Sequence, residues 1–112
     1  KMSDYAWEIT PEISAGKHII KIENEAEQAH ELVLAQLAPG KTPLELANWI
    51  ENQQGPPPGK PMGGISGMLK GGVVYLPVDL PAGEYGLLCF LPDKKDGKPH
   101  VAHGMIKQIT VK

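Results

Sequence analysis

Residues 84–105 read EYGLLCFLPDKKDGKPHVAHGM, and they hold the chain's one cysteine, two of its four histidines and one of its four methionines. The first part alternates: Tyr85, Leu87 and Cys89 fall on one face of an extended chain, because successive side chains of a strand point to opposite sides. PAGE before it and PDKKDGKP after it are turn sequences, with Asp96 and Gly97 suited to close the reversal. A strand therefore ends at Cys89, and the chain returns through His100, His103 and Met105 into MIKQITVK, where Met105, Ile109 and Val111 share a face. Two readings of the stretch stand at this point. It is a turn-rich connection whose cysteine is a small buried hydrophobe, or it is a loop that presents soft metal ligands.

The same period of two recurs along the chain. In YAWEIT, Tyr5, Trp7 and Ile9 share a face, and in HIIKIEN so do Ile20, Ile22 and Asn24, with Lys21 and Glu23 opposite. HELVLAQL is a denser apolar run, as expected of a strand covered on both sides. VVYLPVDL is a further strand in which Pro77 calls for an edge or a bulge. Turn sequences separate these runs, among them SAGK and NEAEQ, so the pattern predicts an all-β protein, most economically two packed sheets. One helix interrupts it, predicted over 43–53. Thr42 supplies the N-cap hydroxyl, Pro43 the first helical position and Glu45 the capping-box carboxylate, and Leu46, Trp49 and Ile50 form the apolar stripe. GPPPGKPMGGISGMLKGG, residues 55–72, then reads as a long irregular loop.

Composition bounds the function. The chain has 112 residues, the size of one domain, with 41% hydrophobic and 21% charged residues, values of an ordinary globular protein. The net charge of -2 comes with no basic face, which argues against nucleic acid as a partner. No apolar run is long enough to span a membrane. A lone cysteine excludes an internal disulfide. The start KMSDYAW has no leader-like pattern, so either a signal peptide has been removed or this is one excised domain.

The soft side chains decide the chemistry. Thiolate, imidazole and thioether follow one another as Cys89, His100 and Met105, and a His2Cys set with a weak axial Met is the preference of electron-transfer copper. The second imidazole is His30, at the head of HELVLAQL, which in a sandwich can lie beside the loop joining the last two strands. Taken alone, His30 reads more readily as a surface residue, and it is its place in a set of four compatible donors that favours the ligand reading. His103 rivals His100, because on an extended chain it shares a face with Met105. His18 reads as a surface imidazole, and Met62 and Met68 as core plugs or a soft contact patch. Asp93, Lys94, Lys95, Asp96 and Lys98 alternate in sign and read as a solvated turn. No nucleophile, base or oxyanion element accompanies these carboxylates, so hydrolysis is set aside.

PEISAGKHIIKIEN, QAHE, PAGEYGLLC and HVAHGMIKQITV together resemble the cupredoxins, the family of plastocyanin, azurin and the copper-nitrite-reductase domains, over almost the whole chain. The resemblance implies a cupredoxin-like Greek-key β-sandwich, here with one inserted α-helix and a long Gly/Pro-rich loop, formed by a single domain over 1–112. It implies one type 1 copper held by His30, Cys89, His100 and Met105, with the imidazoles equatorial and the thioether axial. It further implies electron transfer to a redox partner protein, no enzymatic activity and export to the periplasm or beyond. Two departures stand out: ten residues separate Cys89 from His100, more than in plastocyanin-like and azurin-like loops, and Glu31 follows the first histidine where many members have Asn or Asp. These leave two other readings open. One is a metal-free scaffold that binds a protein partner through the helix and the 55–72 loop. The other is a copper delivery or storage protein.

Overall fold

Two sheets meet face to face, and the alternation in the sequence decides which side chains lie between them. The computed structural model describes residues 1–3, 6, 7, 9 and 13–112. In chain order the strands are β1 (Met2–Ser3), β2 (Ala6–Trp7), β3 (Gly16–Glu23), β4 (His30–Leu37), β5 (Gly59–Met68), β6 (Val73–Leu80), β7 (Gly83–Leu88) and β8 (Ile106–Val111). Helix α1 (Pro43–Asn52) follows β4, and a 3-10 turn (His100–His103) precedes β8. Strands β3 and β6 form one antiparallel sheet, and β5-β4-β7-β8 form the second, also antiparallel. Strands β1 and β2 make a short ribbon. Tyr5 lies outside the described residues; Trp7 and Ile9 both pack on the core between the sheets.

Side chains at every second position fill that core. Strand β4 sends Leu32 and Leu34 inward, β7 sends Tyr85 and Leu87 with Cys89 beyond it, and β3 and β6 answer with Ile22, Val78 and Leu80. Each fully buried aliphatic side chain of this kind stabilises the fold by about 1.5–3 kcal/mol. The intervening residues face the other way. Ala35, Leu37 and Leu88 meet Leu46 and Ala47 of α1 in a second core, with Val33, Phe90, Val101 and Ile106 at its margin. The middle sheet is thus covered on both sides, which is why HELVLAQL is apolar almost throughout. Strand β6 pairs with β3 alone among the described residues, an edge position that tolerates the missing N–H of Pro77.

Two expectations are corrected. The helix starts as predicted, with the Glu45 N–H donating to Thr42 Oγ1 at 3.2 Å, but its buried face is Pro43, Leu46 and Ala47, and Ile50 is exposed. The first turn settles onto the sheet because Gly86 of β7 leaves room for Pro43: a Cβ there would stand 3.3 Å from the proline ring. The larger correction concerns 55–72, where ten residues form β5, an edge strand paired with β4, rather than an irregular loop. Its glycines are what the pairing requires. A Cβ on Gly64 would lie 2.2 Å from the Leu32 carbonyl oxygen, and the register shifts twice along the ladder. Glycine that signals a loop in isolation here permits a bulged strand and a close backbone approach. Gly64→Ala is therefore expected to cost about 1–3 kcal/mol, read as a lower denaturant midpoint; an unchanged midpoint would contradict this register.

Candidate metal centre

Strand pairing brings distant donors to one end of the middle sheet. Strands β4 and β7 are neighbours, with Val33 opposite Leu88, so His30 at the start of β4 and Cys89 just past β7 emerge together. The chain after Cys89 then folds back on itself. Pro92 bridges Pro99, the Asp93 N–H donates to the Lys98 carbonyl at 2.8 Å, and the Gly97 N–H returns to the Asp93 carbonyl at 2.8 Å. His100 opens the 3-10 turn, its N–H donating to the Leu91 carbonyl while the Val101 N–H donates to that of Cys89, both at 2.8 Å. Gly104 reverses the chain with φ 105°. The Met105 N–H then donates to the His100 carbonyl at 3.2 Å, and the Met105 carbonyl accepts from the Cys89 N–H at 3.3 Å. Backbone bonds thus tie Cys89, His100 and Met105 into one closed loop.

His30, Cys89, His100 and Met105 are all fully buried. The Nδ1 atoms of His30 and His100 lie 3.1 Å apart, and Cys89 Sγ lies 3.8 Å from the first and 3.5 Å from the second. A point equidistant from these three atoms is about 2 Å from each, the length of a bond from a first-row metal to imidazole or thiolate. The imidazole rings are tilted by 56° with centroids 4.4 Å apart, so they do not stack. Two nitrogens and a sulfur, buried and close together, fit a soft transition metal such as copper or zinc. Met105 belongs to the same core cluster as Cys89 and sits on the backbone loop described above.

The surroundings fix these donors. Glu31 performs two tasks: its N–H points at Cys89 Sγ at 3.4 Å, and its carboxylate accepts the Phe90 N–H at 3.0 Å, clamping the residue after the cysteine. Asn24 joins the segments around His30, donating from Nδ2 to the Gln28 and Met68 carbonyls at 3.0 and 2.8 Å and accepting the Ala26 N–H. Neither role follows from sequence. The reading of Asp93 as part of a solvated turn is corrected, since it is buried beside His100 and bonded to Gln28. Gln28, also buried, had one available signal: it lies two residues before His30 and so on the same face of an extended chain. Nothing in PDKKDGKP distinguishes the buried aspartate from the exposed charges around it.

The remaining candidates lie elsewhere. His103 ends the 3-10 turn, partly exposed, with Nε2 2.9 Å from Asp96 Oδ2. His18 meets the Ser14 carbonyl at 2.7 Å on the other sheet. Met68 is buried opposite His30, and Met62 packs at the margin of the core.

Burial pushes the Cys89 thiol above its ordinary value near 9.0, outweighing the backbone N–H groups of Glu31 and Leu91 that favour the thiolate. The metal-free protein holds a neutral thiol at neutral pH, and metal binding displaces its proton. The unfolded chain loses this proton first, near that ordinary value, so stability falls as pH rises above it. Denaturant midpoints of the metal-free protein between pH 7 and 10 are expected to fall further for the native chain than for Cys89→Ala. Parallel slopes would contradict the assigned burial.

A two-sheet sandwich with one sheet also covered by a helix, and with a Cys–His–Met loop at its end, has the cupredoxin fold. Among solved structures the chain is similar to dithionite-reduced auracyanin from the photosynthetic bacterium Roseiflexus castenholzii, at a TM-score of 0.58 and 22% identity over 89% of this chain and 80% of that one. Identity this low speaks for the fold alone. No family model matches the sequence, and no curated protein does.

Proposed function

We propose that this protein is a copper-binding electron carrier, with His30, Cys89, His100 and Met105 holding one copper ion in a type 1 site. The observation that carries the reading is the triangle of two Nδ1 atoms and Sγ with edges of 3.1, 3.5 and 3.8 Å, closed off from water. Bound copper would supply a one-electron couple at that point. The chain's own part is to present donors acceptable to both oxidation states and to keep them still while the charge changes. Stillness comes from the backbone loop through Cys89, His100 and Met105, from the Glu31 clamp and from the inner strand β4, which His30 opens. Exclusion of water removes competing ligands from the metal.

The reading extends to the unit and its setting. Residues 1–112 act as a single domain in an exported protein that exchanges electrons with a redox partner protein and catalyses no reaction of its own. Burial of all four donors favours a resident metal over one held for delivery, since a transferring site must open to the recipient. It also weighs against a metal-free scaffold, which has no use for a desolvated thiol beside two imidazoles.

Added Cu(II) is expected to give an intense blue or green band at one copper per chain, and Cys89→Ser to abolish it while His103→Ala leaves it in place. A colourless complex, or colour that survives loss of the thiol, would sink the proposal. Copper should also raise the melting temperature, because a ligand selective for the folded state stabilises it by about 2.7 kcal/mol at a hundredfold excess over its dissociation constant.

A further inference from the structure

Gln28 lies between the proposed ligand His100 and the long insertion, and all of its side-chain polar contacts can be assigned a direction. Its Oε1 is 3.0 Å from the Lys94 backbone nitrogen and 3.1 Å from His100 Nε2, and its Nε2 is 2.9 Å from Asp93 Oδ1. A backbone N–H can only donate, so the atom facing Lys94 is the amide oxygen. A carboxylate oxygen accepts, so the atom facing Asp93 is the amide nitrogen. The two neighbours agree, and together they leave one orientation for the amide. Its oxygen therefore also faces His100, which requires that Nε2 of that ring carry the hydrogen. The other oxygen of Asp93 accepts the Lys95 N–H at 3.1 Å, so the carboxylate is held from both sides. Gln28, Asp93 and His100 are all buried.

We propose that Gln28 is a positioning residue for the metal: it holds His100 in the Nε2–H tautomer and so keeps Nδ1 bare toward Cys89 and His30, with Asp93 and the Lys94 N–H fixing the way Gln28 faces. Metal-binding imidazoles depend on such partners, because the hydrogen bond made by one ring nitrogen decides which lone pair the other offers. The insertion between Cys89 and His100 then has a definite task. Its fold through Pro92, Pro99, Lys98 and Gly97 delivers one carboxylate and one N–H to the same glutamine. The inference rests on the reading of His100 as a ligand only for its consequence; the tautomer itself is a property of the metal-free chain.

The test uses nitrogen-15 shifts of the histidine rings in the metal-free 112-residue chain, followed by titration with copper. In the native chain the neutral His100 ring is expected to be the Nε2–H tautomer. Gln28→Met removes the acceptor at similar volume and should mix the tautomers and weaken copper binding about 10–100-fold. Gln28→Glu combined with Asp93→Asn exchanges carboxylate and amide. Glu at 28 can accept from His100, Lys94 and the new amide, while Asn at 93 still accepts from Lys95, so this double variant should regain the native tautomer and affinity. Native His100 protonated at Nδ1, or native tautomer and affinity in Gln28→Met, would overturn the proposal. Nε2 protonation that Gln28→Met disturbs, without any coloured copper complex, would uphold the role of Gln28 in fixing the tautomer and reject the electron-carrier reading, so the two failures are distinguishable.

Discussion

Everything at the candidate centre depends on the pairing of β4 with β7. That ladder joins a strand that begins at His30 to one that ends at Leu88, and it places the only thiol of the chain beside an imidazole 59 positions away in sequence. Antiparallel pairing with period-two alternation leaves little freedom. A slip of one residue would turn His30 and Cys89 out of the inter-sheet core and bring their neighbours in. The register is held by Leu32, Leu34, Tyr85 and Leu87 on one face and by Ala35, Leu37 and Leu88 on the other, so both cores would have to be given up to move the donors.

Rigidity at the site is built in layers from that ladder outward. The backbone loop of Cys89, His100 and Met105 closes on itself, Glu31 reaches across to the residue after the cysteine, and Asn24 binds the segments on either side of His30. None of these contacts touches a metal position. Each removes a motion that would otherwise alter the distances among Sγ and the two Nδ1 atoms, and rigid supporting shells of this kind separate a working site from a loose cluster of the same residues.

Much of this architecture was legible in the sequence, for identifiable reasons. Alternation through Tyr85, Leu87 and Cys89 and through Ile20 and Ile22 names the inward faces, because burial imposes the period of a strand directly on composition. The start of α1 was legible because Thr42, Pro43 and Glu45 act locally. The soft residues His30, Cys89, His100 and Met105 stand out by chemistry alone, and the fold sets three of their donor atoms within bonding distance of a common point. What escaped depends on partners remote in the chain. Gly64 reads as a loop residue until the Leu32 carbonyl is seen against it. Ile50 fits a helical stripe, but the seating of Pro43 on Gly86 brings Leu46 and Ala47 onto the sheet and leaves Ile50 exposed. Asp93 looks like any charge in a turn, and only the three-dimensional position of Gln28 makes it part of the interior.

X-ray absorption at the copper edge of the loaded protein tests the central claim most directly. The account predicts a short-distance shell of one sulfur and two imidazole nitrogens, with one nitrogen lost in His30→Ala and the sulfur lost in Cys89→Ser. A shell without sulfur, or one indifferent to removal of His30, would mean that the convergence created by the β4–β7 ladder is not where the metal goes.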